Sequence, residues 1–189
     1  MASPFLYFAD DRLSRAELSA ACLDGDLVEL GEAYIPADAV ETAALRAGSL
    51  LRTLGDTLAA THLTAAWIHG ALPTPPSRHT VQRAVARRLH VVPDRQLVYR
   101  DLAIAPGDLH ILGGVRVTSP VRTMVDLARV DDVPHARAAL LLAATHPDAV
   151  PQAIAALDAG ALPHKRRALA FLRGAVLSSA QDEVTRYTS

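Results

Sequence analysis

The sixteen residues from Gly113 to Ala128, GGVRVTSPVRTMVDLA, constrain the fold of this chain more than any other stretch. Val115 and Val117 alternate with Arg116, the period of a half-buried strand. Thr118 and Ser119 then offer hydroxyls to the unpaired amides of a new helix, and Pro120 suits a first turn that needs no amide there. At helical spacing, Val121, Met124, Val125, Leu127 and Ala128 share one face, and Arg122, Thr123, Asp126 and Arg129 share the other. Asp126 and Arg129 are spaced to pair. Two readings stay open. The helix could be a core helix with a solvated charged face, or Arg122 and Asp126 could lock it onto neighbouring loops.

The same residues carry a resemblance. Gly114, Thr118, Ser119, Pro120, Arg122, Thr123, Asp126, Leu127 and Ala128 resemble the segment that closes the core domain of AbiEi-type antitoxins, from type IV toxin–antitoxin systems, and of their actinobacterial relatives. Upstream, THLTAAWIHG, with Thr61, Trp67 and Gly70, resembles a second helix of that family. The resemblance covers roughly residues 10 to 130. It implies a repressor of its own promoter, and hence double-stranded DNA as a partner. It also implies an opponent of a nucleotidyltransferase toxin; the residues themselves, without a phosphate-cradling glycine loop or a nucleophile elbow, lead to the expectation of no cofactor and no enzymatic activity. In the family's N-terminal winged helix, arginines usually occupy the wing; here Glu29, Gly31, Glu32 and Tyr34 stand there, although phosphate contact needs cations. That departure keeps a rival reading open: a scaffold that does not bind DNA, or the remnant of a protein once fused to a Vsr-like endonuclease domain.

Composition bounds the classes. Half of the 189 residues are hydrophobic and 4% are aromatic, so the core must be aliphatic and rich in alanine. No run reaches the length of a membrane span, and Cys22 is a lone cysteine, which together point to a reducing cytoplasm. The net charge of −1 hides an asymmetry. Residues 1–60 carry a net of −6, residues 61–130 a net of +5, and residues 131–189 balance. A nucleic acid would meet the middle of the chain more readily than its start.

Along the chain, Ser14 and Glu17 have capping-box spacing for a first helix, with Leu18 and Cys22 on its inner face, and Asp24-Gly25 ends it. LVELGEAYIP reads as two short strands around Gly31-Glu32. Ala47, Leu50, Leu51, Leu54 and Leu58 recur at helical spacing and predict a helix from about 40 to 54. Thr61 is placed to cap the next helix, Leu63, Ala66 and Trp67 to line its buried face, and Gly70 to end it. Three or four short strands follow up to Thr118, with Leu89, Val91 and Val98 on one core face. After Arg129 the chain reads as helical, with a frayed tail from Ser178. The expected fold is α+β: a degenerate winged helix-turn-helix over 1–38, a mixed α/β core domain over 39–130, and a helical C-terminal extension over 131–189.

Few motifs suggest chemistry. His62 and His69 lie near one face of one helix, but zinc needs three or four converging ligands and no acid or cysteine cluster accompanies them. They are expected to bond the ends of their own helix. Nuclease chemistry would need clustered acids beside a lysine, and the one lysine, Lys165, has no such company. The candidate DNA contacts are Arg78, Arg83, Arg87, Arg88 and Arg100 in the basic middle, and Lys165, Arg166 and Arg167 further on. Those last three stand in a first helical turn, where the helix dipole disfavours cations, a placement that hints at use.

Overall fold

The structure is a computed structural model that describes residues 4–89 and 95–186, with side chains through Val176. Helix α1 (Arg15–Asp24) begins in the expected capping box: the Glu17 amide donates to Ser14 Oγ at 3.3 Å and the Ser14 amide to Glu17 Oε2 at 2.7 Å. Gly25, at φ +82°, ends it. Strands β1 (Leu27–Leu30) and β2 (Ala33–Pro36) form an antiparallel hairpin around Gly31-Glu32, and Leu27, Leu30, Ala33 and Ile35 face inward. Gly31 sits at φ +58°, and a Cβ there would strike the Ser49 hydroxyl, so only glycine lets the hairpin tip lie this close to the core. Tyr7 pairs with Tyr34 through two backbone hydrogen bonds, of 2.9 and 2.8 Å, which seats the N-terminal segment on the hairpin. Arg52 lies over the Phe8 ring at 4.5 Å.

The helix expected over 40–54 is two: α2 (Ala43–Ser49) and α3 (Leu51–Leu54). The cause is local. Ser49 turns its hydroxyl back to the Arg46 carbonyl, and the Leu50 amide bonds Ala47 three residues earlier, which tightens the chain out of α geometry. Leu58, placed on that helix by its spacing, instead opens strand β3 (Leu58–Ala60). Then come α4 (His62–Ile68), β4 (His79–Arg83), β5 (Leu97–Ala103), a 3-10 turn at Pro106–Asp108, β6 (Leu109–Leu112), β7 (Val115–Thr118) and α5 (Pro120–Ala128). Helices α6 (Val133–Thr145), α7 (Ala149–Ala159) and α8 (Lys165–Arg186) complete the described chain. The end of α8 lies within the tail expected to fray; residues 187–189 are outside the described residues.

The five-stranded sheet runs β5-β4-β3-β7-β6 and is mixed. β3 pairs parallel with β7 and antiparallel with β4; β4 pairs parallel with β5, and β6 antiparallel with β7. Two apolar clusters flank it. Leu58, Ala60, Val81, Val115 and Val117 pack with Leu45, Leu50 and Leu54 of α2 and α3 and with Leu30 and Ile35 of the hairpin. Met124, Val125 and Leu127 of α5 pack with Ala66 of α4 and with Leu142, Leu157 and Leu172 of the last three helices. Full burial of each such leucine stabilises by about 1.5–3 kcal/mol. The C-terminal helices therefore share a core with the central domain. Leu89 reaches the first cluster only partly and Val98 is half-buried; Val91, expected beside them, lies outside the described residues.

The turn between β6 and β7 explains its two glycines. Gly113, at φ +54°, lies against α2, where an added Cβ would strike the Ala44 carbonyl oxygen and come within 2.8 Å of the Gly48 nitrogen. The strand that feeds α5 thus touches α2 backbone to backbone, a contact any side chain would prevent.

Candidate functional site

The β7–α5 junction is built as its sequence implies. Ser119 caps α5, its hydroxyl accepting from the Arg122 amide at 3.2 Å, and Pro120 takes the first turn. Thr118 ends β7 rather than capping: its hydroxyl reaches the Ala60 carbonyl on β3 at 3.4 Å and lies 2.8 Å from the Thr123 hydroxyl. His69 donates through Nε2 to the Thr118 carbonyl at 2.7 Å. That bond corrects the expectation that His69 serves its own helix; it ties α4 to β7. Thr61 takes the N-cap position of α4 as expected, but its side chain makes no capping bond. Its hydroxyl reaches the Thr80 carbonyl at 3.3 Å, while Thr64 accepts from the Thr80 amide at 2.9 Å, so α4 is pinned to β4. Leu63 is only half-buried, whereas Ala66 and Trp67 are fully buried. Gly70, at φ +85°, ends α4 as expected.

The second face of α5 is not solvated. Thr123 and Asp126 are buried, Asp126 at 2% exposure. Asp126 accepts from Arg122 Nε at 2.9 Å and faces Arg129 Nη1 at 3.5 Å. Arg122 also reaches Asp108, in the 3-10 turn before β6, at 2.7 Å, and Arg129 donates to the Pro163 carbonyl at 2.9 Å. The helix is thereby locked to one loop on each side, the second of the two sequence readings. Burial pushes the Asp126 carboxyl up, against the downward pull of Arg122 and Arg129. Burial lowers Arg122, but Asp126 and Asp108 outweigh it and leave the guanidinium raised. Both values rise, which disfavours the charged carboxylate but favours the charged guanidinium, because the acid is almost wholly buried while the guanidinium keeps an exposed edge.

His62 follows at the start of α4 with φ +51°, a left-handed conformation costly for a side chain of its kind. Its Nδ1 lies 3.0 Å from the Thr61 hydroxyl. Burial, reinforced by Arg100, His135, Arg122 and Arg129, drives it down to about 3. Burial is also the main cause of lowered values at His69 and His79. A folded value below the unfolded one means that the unfolded chain binds more protons as pH falls below 6.5, the ordinary histidine value. The stability these histidines contribute is full above that pH and declines towards the folded value, by at most about 1.4 kcal/mol per pH unit for each. The raised Asp126 works in the opposite sense at lower pH. Thermal melts from neutral pH into the acid range should show the midpoint falling, and His62→Gln should flatten the fall. A flat midpoint, or an unchanged slope in His62→Gln, would remove His62 from this role.

The eight candidate DNA contacts divide on inspection. Arg83 is held inward: it pairs with Asp101 at 3.1 Å and donates to the carbonyls of Val85 and Ala86. Arg78 donates to the Arg95 and Leu97 carbonyls at 3.0 and 2.8 Å, stitching β4 to the start of β5. Arg88 shares Asp101 at 3.4 Å but is 84% exposed, and Arg87 is exposed with no hydrogen bond or ion pair among the described residues. Arg100, on β5, is half-buried and joins Arg122 and Arg129 around His62 instead of the exposed pair. Lys165 donates to the Asp158 and Gly160 carbonyls at the end of α7, where a cation is favourable. That bond, rather than a ligand, accounts for a cation in the first turn of α8. Arg167 pairs with Asp131 at 2.5 Å, and Arg166 is exposed. Sequence reasoning missed Gln82, which the β4–β5 register sets beside Arg100. The alternation of Thr80 and Gln82 around Val81 was the available signal.

Among the described residues, no group of three histidines, cysteines or acids is placed to hold a metal ion, and no helix is long and apolar enough to cross a membrane. Comparison with curated proteins gives no match. Residues 58–170 match the family described as the AbiEi antitoxin C-terminal domain. The match starts at β3 and runs through the first turns of α8, further than the resemblance to residue 130, as expected of helices that complete the core around α5. The matched segment spans more than half of the chain, so the chain belongs to the AbiEi antitoxin family and carries an antitoxin domain of a toxin–antitoxin system.

Proposed function

We propose that this antitoxin represses its own promoter by binding double-stranded DNA, and opposes a nucleotidyltransferase toxin in the cytoplasm without enzymatic activity of its own. The family match is the observation that carries the reading. The type IV, actinobacterial-type assignment and the division at residues 38 and 130 belong to the same proposal. So does a truncated winged module formed by α1 and the β1–β2 hairpin. Exposed Arg87, and Arg88, whose one ion pair with Asp101 is at the surface, supply cations that can meet phosphate, whereas Arg78 and Arg83 are engaged in the fold.

A mobility-shift assay with the region upstream of the gene tests it. Binding should weaken steeply with salt, and replacing Arg87 and Arg88 together by alanine should flatten the salt slope by up to about two, one per lost phosphate contact. Absence of any shift at low salt with long promoter fragments would defeat the repressor reading. It would favour the alternative of a scaffold without DNA binding, or a remnant of a fusion to a Vsr-like endonuclease. One observation already leans that way: Glu29 and Glu32 flank the hairpin tip, where cations would be needed. If changes at Ser14, Arg15 or Tyr34 abolish binding while those at Arg87 and Arg88 do nothing, the N-terminal module is the reader.

A further inference from the structure

Arg100, Arg122 and Arg129 come from β5, from one turn of α5 and from its end, yet they line one cavity of about 100 Å³ with His62 and Gln82. Their engagement is unequal. Arg122 is shared between Asp108 and Asp126, and Arg129 faces Asp126 and a carbonyl. Arg100 makes no hydrogen bond or ion pair among the described residues. Gln82 is 2% exposed, and its Oε1 has no hydrogen-bond partner among the described residues. A buried acceptor without a partner costs about 1–3 kcal/mol. An amide can present its oxygen or, turned over, its two N–H donors. Parallel pairing of β4 with β5 sets Gln82 opposite Arg100, so both stand at the same level of the sheet. Three guanidinium groups face two acids, Asp126 and Asp108, which leaves one positive charge in excess and one free fork.

We propose that this cavity binds a single phosphoryl group, held by the Arg100 guanidinium and the Gln82 amide, with Arg122 and Arg129 supplying the field. Guanidinium forks match tetrahedral oxyanions through paired hydrogen bonds. The cavity, of about 100 Å³, has room for a group of phosphoryl size. Two sources share that chemistry: the free phosphate ion and the terminal phosphate of a nucleic-acid strand. Asp126 lines the same cavity, but each of its oxygens faces a guanidinium group, which offsets its repulsion of the ligand.

Calorimetric titration of the full chain at fixed ionic strength tests this. The probes are inorganic phosphate and a short oligonucleotide with either a 5′-phosphate or a 5′-hydroxyl. Phosphate should bind, and Arg100→Met should weaken it about ten- to hundredfold, the worth of a charge-assisted hydrogen bond. Arg52→Ala, at an arginine paired with Asp11 away from the cavity, should leave it unchanged. Preference for the phosphorylated oligonucleotide over its hydroxyl twin identifies a strand end as the source; binding of phosphate without that preference identifies the free ion. Arg100 has no partner to lose, so Arg100→Met should melt as the parent does. If it fails to fold, Gln82→Leu carries the same test. Failure of every phosphate probe to bind at millimolar concentration overturns the proposal, as does equal binding by parent and folded variant. Promoter binding is read separately by mobility shift, so a protein that binds promoter but no phosphate rejects this site, and the converse rejects the repressor reading.

Discussion

Trp67→Ala should lower the melting temperature by roughly 6–20 °C, from a cavity cost of about 3–5 kcal/mol in a chain of this length. Trp67 is fully buried and is the largest of the wholly enclosed side chains. It joins three parts of the molecule. Its ring edge lies 3.1 Å from where a Cβ on Gly31 would sit, at the tip of the hairpin. The Arg46 guanidinium from α2 lies 5.7 Å from the ring centroid, and the same arginine donates to the Trp67 carbonyl at 2.7 Å and to the Leu72 carbonyl at 2.9 Å. His79 of β4 packs on another side, with ring centroids 6.4 Å apart. The indole N–H has no hydrogen-bond partner among the described residues, so the loss is one of packing. Trp67→Phe, which loses no bond, should therefore retain most of the stability. Thermal melts of the two variants decide it. Equal losses in both would assign the effect to the indole nitrogen, and no loss in either would mean that the hairpin and α2 close over the space.

Asp126→Ala should cost about 3 kcal/mol, the lower end of the range for leaving a buried charge unpaired, or roughly 6–12 °C of melting temperature. The lower end applies because Arg122 keeps Asp108, although Arg129 loses the acid it pairs with among the described residues. An exposed pair would be worth about 0–1 kcal/mol, and the burial of Asp126 excludes that case. Arg122→Met combined with Asp126→Leu should destabilise less than Asp126→Ala alone, since no charge is then stranded. Parental melting by Asp126→Ala together with lost DNA or phosphate binding would move Asp126 from the scaffold to the functional surface.

Some of this was written locally. The capping box at Ser14, the hairpin around Gly31-Glu32 and the strand–cap–helix run from Val115 to Ala128 each follow from residues within a few positions of one another. So does the helical end of the chain, and the motifs of α4 and α5 sufficed to suggest the family that the comparison then showed. Leu58 to Ala60 tells the opposite story. Leu-Ala-Ala has no strand signal, and its leucine falls on the helical repeat of the preceding segment. It is nevertheless the middle strand of the sheet, because β4 and β7 offer it hydrogen bonds on both edges. The roles of the arginines were equally hidden. Arg83 and Arg87 read alike in the sequence, yet one is tied to Asp101 and the other faces solvent. Capping, turn chemistry and periodicity act over one or two helical turns, and these the sequence by itself determined. Partners brought in from distant positions decided the middle strand, the burial of Asp126 and the meeting of Arg100 with Arg122, since pairing across a sheet and relief of a buried charge depend on neighbours that only the folded chain supplies.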